Sequence, residues 1–119
     1  MTQTSQKFDL EERTAVFGES VILLCRTVKQ DAITKSIVNQ LVRSSTSIGA
    51  NYMEANGASS KKDFRNKMHI CKKEAQESQH WLRMLGAAVP DKKTELRNLW
   101  QECHELVLIF QKITTGLRN

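Results

Sequence analysis

The chain has 119 residues, 39% of them hydrophobic and 26% charged, which fits one globular domain over residues 1–119 that is long enough to bury a core. Its longest uninterrupted apolar run, residues 21–25, is far shorter than the roughly 20 residues that a membrane-spanning helix needs. Residues 1–15 carry charges and no apolar core of their own, so they lack the layout of a secretory signal. These features predict a cytoplasmic protein with no membrane partner.

Apolar residues recur at helical spacing in four segments, and no segment alternates with the period of a strand. The second segment, for example, places Ile33, Ile37, Leu41, Ile48 and Tyr52 on one face. The pattern predicts four helices near residues 9–30, 32–56, 60–86 and 91–117. Short joints between long helices favour antiparallel neighbours. The predicted fold class is therefore all-α, an antiparallel up-down-up-down four-helix bundle.

The predicted joints contain residues that stop and start helices. We expect Gly57 to end the second helix in the left-handed conformation and Ser60 to cap the third. We expect Gly86 to stop the third helix, ahead of Pro90 as a breaker and Asp91 as the next N-cap.

Apolar residues outside the core stripes predict self-association. A monomeric bundle needs one buried stripe per helix, yet three helices carry further apolar residues. Single apolar side chains on a surface are also normal in monomers, which is the alternative explanation. We predict a homo-oligomer whose interface contains Val16, Leu23, Val42, Gly49, Met53, Ile70 and Trp81.

The middle of the second helix combines small and polar residues. Small side chains over residues 44–50 predict that a neighbouring backbone approaches closely. A polar row from Arg43 onward predicts a buried or interfacial hydrogen-bond network that fixes helix register, with ligand binding as the alternative. The residues of this predicted structural network are Ser47, Asn51, Glu54 and, at the start of the third helix, Asp63.

Catalytic and metal-binding patterns in the sequence are incomplete. A di-iron bundle needs two Glu-x-x-His pairs, and only residues 77–80 supply one. Cys103 and His104 are helical neighbours, whose side chains diverge by about 100° and do not form a nucleophile pair. Cys25, Cys71 and Cys103 have neither disulfide nor zinc-ligand spacing and predict buried free thiols. We therefore predict no enzymatic activity, no metal and no cofactor.

The net charge of +5 is concentrated in residues 59–86, which hold seven basic and three acidic residues. A cationic helix side favours phosphate backbones, because each neutralised phosphate releases counterions. The alternative is a solvated face that is partly neutralised by pairs such as Lys73 with Glu77. No aromatic residue interleaves with these cations, so stacking on single-stranded bases is not predicted. The candidate nucleic-acid-binding residues are Lys61, Lys62, Arg65, Lys72, Lys73 and Arg83.

The segment "LVRSSTSIGANYMEANGASSKKDF", continued by "RNKMHICKKEAQESQHWLRML", resembles the bacterial four-helix-bundle proteins grouped with the ribosomal RNA intervening-sequence-encoded proteins. The resemblance covers roughly residues 41–85. It implies an up-down bundle that assembles into a ring, typically a pentamer, with no established enzymatic activity. It is more distant from the accessory variability-determinant proteins of retroelements, a related branch that is associated with RNA and a reverse transcriptase.

Together these features predict a non-catalytic, oligomeric four-helix-bundle protein that binds structured RNA or another nucleic acid through the basic side of its third helix. The alternative is a protein-protein scaffold or adaptor with no nucleic-acid role, whose basic side is incidental.

Overall fold

The computed structural model describes residues 2–116, with side chains described from Leu10 onward. Within this span the chain forms four α-helices and no strand, which confirms the predicted all-α class. Within the same span one 3₁₀ turn, Pro90–Lys92, precedes the last helix, so the prediction that Asp91 caps that helix near residue 91 was wrong. The helices are α1 (Thr2–Cys25), α2 (Ala32–Asn56), α3 (Lys61–Ala88) and α4 (Lys93–Gly116).

The four helices enclose one apolar core and form a four-helix bundle. α1 packs against α2, α2 against α3 and α3 against α4, and α1 also meets α4. All four helices contribute side chains that are almost completely buried. The largest of these are Phe17, Leu41, Ile48, Met68, Leu82, Leu85, Leu96, Leu106 and Phe110. None of the helices in the described span is both long and apolar enough to cross a membrane.

Helix α2 has the predicted boundaries because its first residue follows a complete cap. Asp31 Oδ1 accepts hydrogen bonds from the backbone N–H groups of Ile33 and Thr34, and Thr34 Oγ1 accepts one from the Asp31 N–H. This capping box places Thr34 and Val38 inside the bundle. The prediction that Ile33 belongs to the core was wrong, since its side chain is 67% exposed.

The first helix ends at Cys25 rather than near residue 30, and it begins at Thr2 rather than near residue 9. At its C-terminal end the backbone N–H groups of Thr27 and Val28 bond to carbonyls three residues back. Thr27 Oγ1 also donates to the Leu24 carbonyl, at 2.7 Å. These local bonds replace the α-helical pattern and turn the chain toward Asp31. The predicted end of the fourth helix, residue 117, lies outside the described residues.

Neither glycine that was expected to end a helix does so in the predicted way. Gly57 has φ −99° and ψ 15°, so it is not left-handed, and the turn closes through bonds from Gly57 and Ala58 to carbonyls three residues back. Gly86 lies inside α3, which continues to Ala88. Ser60 caps α3 as predicted, since its hydroxyl accepts the Asp63 N–H at 3.0 Å.

Small residues bring α1 and α2 close together. A methyl group at Gly18 would lie 3.6 Å from the Ser45 carbonyl oxygen, and one at Gly49 would lie 3.3 Å from Thr14 Oγ1. Thr14 and Ser45 are themselves buried. Close packing, the predicted reason for the small residues of α2, is therefore confirmed, and the neighbour that they admit is α1.

Candidate nucleic-acid interface

The predicted cationic residues of α3 lie on the outer side of the helix and along its border with α4. Lys61, Lys62, Lys73 and Arg83 are exposed, whereas Arg65 and Lys72 are half-buried. Lys72 Nζ donates to Gln111 Oε1 of α4 at 2.9 Å. Arg65, Lys72 and Arg83 line clefts between α3 and α4, whereas Lys61, Lys62 and Lys73 lie on the exposed side of α3. We call the cationic side formed by all six residues the α3–α4 seam.

The carboxylates in the middle of α3 face the opposite way, toward α2. Arg43 of α2 binds Glu74 at 3.3 Å and also forms an ion pair with Glu77. The Lys73–Glu77 pair that the sequence suggested does not form, because Arg43 occupies Glu77. Lower on the same side, Lys67 of α3 binds Glu54 of α2 at 2.7 Å. Helix α3 is consequently divided into a paired side against α2 and a cationic side along the seam.

Glu77 is held in its ionised form by its neighbours. Partial burial opposes ionisation, but hydrogen bonds from Trp81 Nε1 and from the Arg43 guanidinium outweigh it and lower the pKa of Glu77 below its ordinary value. The Trp81 bond is 3.1 Å long. Glu77 therefore stays ionised at neutral pH, and its ion pair is with Arg43 of α2.

Within one chain, the α2 residues of the predicted network are joined through backbone carbonyls and not directly between their side chains. Ser47 Oγ donates to the Arg43 carbonyl and Asn51 Nδ2 donates to the Ser47 carbonyl, both within their own helix. Glu54 instead pairs across to Lys67 on α3, and Asp63 takes part in the Ser60 cap through its backbone. Polar side chains spaced four apart on a helix can bond to its carbonyls, so the row needs no connected network.

Two clefts lie along the α3–α4 seam, one toward each end of the bundle. The smaller has a volume of about 230 Å³ and is polar. The residues that line it are Arg65, His69, Lys72, Gln111, Thr114 and Thr115. The larger, which we call the end cleft, has a volume of about 830 Å³ and lies between the last turns of α3 and the first turns of α4.

The end cleft combines cations with an aromatic ring, a feature that the sequence analysis missed. Arg83 comes from α3, but Lys93, Arg97 and Trp100 come from α4. The Trp100 ring stacks on the His104 ring at 5.2 Å between centroids, with the planes 10° apart. The aromatic side chains of α3 itself, Phe64 and Trp81, pack against the core, so the combination in the end cleft arises only when α3 and α4 pack together.

The residues predicted for an oligomer interface fall into two groups. Val42 and Trp81 are partly buried against the core, and Gly49 leaves little room for a methyl group, which would lie 3.3 Å from Thr14 Oγ1 of α1. These three residues therefore have packing roles within one chain, which corrects the prediction that they are surplus to the core. The remaining four residues, Val16, Leu23, Met53 and Ile70, are exposed on the described surface.

All three cysteines are free and buried, as predicted. Burial raises the pKa of Cys25 to about 11 and the pKa values of Cys71 and Cys103 to about 12. Cys103 Sγ donates to the Ala75 carbonyl at 3.1 Å. At neutral pH these groups are protonated and unreactive thiols. Across the described part of the chain, no three His, Cys, Asp or Glu side chains are grouped so that they could hold a metal ion.

Comparison with known protein families identifies the family of this chain. The model of the 23S rRNA-intervening sequence protein family matches residues 6–112. The chain belongs to this family. The match extends the resemblance, which the sequence analysis placed on residues 41–85, to both outer helices.

A similar solved structure shares the fold. It is a protein of unknown function from the S23 ribosomal protein family of Bacteroides thetaiotaomicron, with its crystal structure determined at 1.70 Å resolution. The two sequences are 29% identical, the comparison covers 87% of this chain and 96% of the relative, and the TM-score is 0.76. No curated protein matches the chain.

Proposed function

We propose that this protein is a non-catalytic, homo-oligomeric RNA-binding protein of the cytoplasm that holds structured RNA along the α3–α4 seam. Phosphate oxygens accept charge-assisted hydrogen bonds from lysine and arginine, and a line of such donors favours binding to a backbone whatever its sequence. The family is named for an intervening sequence in 23S rRNA, which makes RNA the nucleic acid to test first.

One observation carries the proposal: Arg43 pairs with Glu74 and Glu77 on the far side of α3. Those two residues are two of the three acidic residues of α3, so their removal to the α2 side leaves the seam strongly positive. Lys61, Lys62, Lys73 and Arg83 form no ion pair with any carboxylate of the described residues. A merely solvated helix surface would more often interleave both signs of charge.

The proposed assembly is a ring, pentameric as the resemblance implies, of up-down-up-down bundles. The antiparallel order is supported by contacts that join the end of α2 to the start of α3, Glu54 with Lys67, and the middle of α2 to the later part of α3, Ser44 with Ser78. Self-association is supported by exposed apolar residues, among them Leu23 at 65% and Met53 at 62%. A ring would repeat the seam in every subunit and multiply the number of phosphate contacts.

An electrophoretic shift assay with a hairpin RNA tests the proposal. The variant replaces Lys61, Lys62 and Lys73 with glutamate, and a matched control replaces three exposed cations elsewhere, Arg26, Lys35 and Lys112, with glutamate. Each lost phosphate contact reduces the slope of log affinity against log salt by about 0.9, so the seam variant should lower the slope by about three between roughly 50 and 200 mM salt. We expect the affinity of the control variant to stay within about threefold of the original.

If the seam variant and the control variant bind the RNA equally, the RNA-binding proposal is wrong. The protein-protein scaffold then becomes the better candidate, since the exposed apolar residues Val16, Leu23, Met53 and Ile70 favour a protein partner by themselves. In that case the seam variant should bind its protein partners as tightly as the original protein does, and the Leu23→Glu variant should bind a partner more weakly.

A further inference from the structure

From the end cleft we infer a binding site for a single nucleoside phosphate, with the phosphate on Arg83, Lys93 and Arg97 and the base against Trp100. The ligand is either a free nucleotide or one unpaired nucleotide of an RNA, and the two share this chemistry. The inference goes beyond the proposed function, in which the seam binds structured RNA through its backbone and no base is recognised.

The size and lining of the end cleft fit a nucleotide. Its volume of about 830 Å³ lies within the range of small-molecule pockets, roughly 300 to 1,000 Å³. Leu82 and Leu96 form a buried floor, exposed to solvent by 1% and 2%. Such pockets typically place a few polar groups around an apolar base, which suits a ligand with one flat apolar part and one charged part.

The polar residues of the end cleft select an anion. Arg83, Lys93 and Arg97 line it, and none of its lining residues is acidic. These three side chains are exposed and form no ion pair with another described residue. Two guanidinium groups and an ammonium match a phosphate dianion, because arginine donates to phosphate in pairs of parallel bonds. A single carboxylate would leave part of this charge without a partner.

Trp100 favours a ligand whose apolar part is an aromatic ring. Its ring lines the end cleft, and stacking on His104 fixes the orientation of the ring. His104 in turn contacts Gln79 of α3, with 3.3 Å between Nδ1 and Nε2. An immobilised indole loses little entropy when a base packs on it, and each such contact is worth about 1–3 kcal/mol in other proteins.

Isothermal titration calorimetry with defined probes tests the site in the full-length protein. The probes are AMP, adenosine, which has no phosphate, ribose 5-phosphate, which has no base, and decanoate, an aliphatic anion. We expect AMP to bind once per chain and each other probe to bind at least about tenfold more weakly, because each lacks one of the two contacts. A short single-stranded RNA and a blunt duplex are titrated as the second arm of the test.

Variants assign the binding to the end cleft. Arg97→Ala and Trp100→Leu should each weaken AMP binding about tenfold. Arg26→Ala removes an arginine that does not line the cleft and should leave AMP binding unchanged. Circular dichroism and the midpoint of thermal unfolding identify a variant that fails to fold, and Trp100→Phe, which retains an aromatic ring, should then recover most of the affinity.

The two sources of nucleotide give different results. If AMP fails to bind at about 1 mM but single-stranded RNA binds and loses about tenfold with Arg97→Ala and Trp100→Leu, the site exists and its ligand is a nucleotide within RNA. Equal affinity for AMP and decanoate, or no dependence of either AMP or single-stranded RNA binding on Arg97 and Trp100, would overturn the inference. The seam variant with Lys61, Lys62 and Lys73 reversed tests the proposed RNA binding separately, since none of those residues lines the end cleft.

Discussion

Gly49 shows how strongly a single position in this bundle depends on its neighbour. Its Cα faces Thr14, which is 1% exposed and whose hydroxyl donates to the Glu11 carbonyl at 3.0 Å. Thr14 therefore cannot turn away from an added methyl group without breaking that bond. Gly86 differs, since the nearest atom to an added methyl group is Leu96 Cδ1 at 4.0 Å.

The two glycines predict opposite effects of alanine on stability. Gly49→Ala should lower the free energy of unfolding by about 1 kcal/mol, because a methyl group 3.3 Å from Thr14 Oγ1 overpacks the contact between α1 and α2. Gly86→Ala should raise it by roughly 0.5–1 kcal/mol, because alanine restricts the unfolded chain and fits a helical conformation. Urea denaturation of both variants measures the difference. Equal stability of the two variants would contradict the α1–α2 packing described above.

The sequence predicted the role of a residue correctly where that role depends on spacing within one helix. It did not where the role depends on how two helices pack. The cap at Ser60, the buried thiols and the solvent-facing Lys61 and Lys62 follow from spacing along one segment. The pairing of Arg43 with Glu74 and Glu77 does not, because it depends on the axial position of α2 against α3.

Helix α3 is organised by what lies on each side of it. Toward α2 it carries the ion pairs of Glu74, Glu77 and Lys67, together with a buried hydrogen bond of 2.8 Å from Ser78 to Ser44. Toward α4 it carries cations and the two clefts. The α2 side fixes how the helix is rotated, and that rotation decides which lysines and arginines reach the seam.

The Arg43 and Trp81 side chains that bind the Glu77 carboxylate predict that the stability of the protein depends on pH. The pKa of Glu77 in the folded protein lies below its ordinary value of 4.5, so its contribution is complete above pH 4.5 and is lost as the pH falls through the lower, folded value. At neutral pH, Glu77→Gln should cost about 1 kcal/mol, a figure reduced for partial exposure. The difference in unfolding free energy between the two proteins should shrink toward zero as the pH falls well below 4.5.

Urea denaturation between about pH 3 and pH 7 measures this difference. Glu19→Gln, which removes an exposed carboxylate on α1 that has no ion pair among the described residues, controls for the change in net charge. The difference in unfolding free energy between the original protein and Glu77→Gln can be compared at both ends of the pH range. If it is the same at both, the ionised carboxylate of Glu77 does not stabilise the packing of α2 on α3.

Helix existence and type were predictable from periodicity, and helix ends were predictable where a side chain caps them. Asp31 and Ser60 start α2 and α3 at or within one residue of the predicted positions. The end of α1 was not predictable in this way, because backbone bonds from Thr27 and Val28 close it, and no glycine or proline marks the place. The glycine rule failed at Gly57 because the same kind of backbone turn ends α2 without a left-handed residue.

Several large apolar side chains on the described surface lie outside the core and are exposed to solvent. Leu23 on α1 is 65% exposed and Leu108 on α4 is 54% exposed. Val16 lies one helical heptad before Leu23 and lines a groove between α1 and α4 together with Leu99. Arg13 crosses this groove and binds Glu102 at 2.7 Å and Glu105 at 2.6 Å.

Size-exclusion chromatography with light scattering tests the proposed assembly. We expect a mass near five times the 13.6 kDa of one chain. Leu23→Glu should reduce this mass, because a charge buried in an interface without a partner typically costs several kcal/mol. Leu108→Glu, an equivalent change at an exposed leucine outside the predicted interface, should leave it unchanged. A mass of one chain for the original protein, or an equal response of both variants, would contradict the predicted interface.

The described surface of this protein exposes no reactive thiol, because all three cysteines are buried. With Cys25, Cys71 and Cys103 all buried and their pKa values raised to between about 11 and about 12, a maleimide dye has no native target in the folded state at neutral pH. A cysteine introduced at exposed Gln76 would therefore carry a fluorophore selectively, with the native cysteines left in place. Energy transfer from that fluorophore can then test the proposed RNA binding and the proposed self-association in an otherwise unaltered chain.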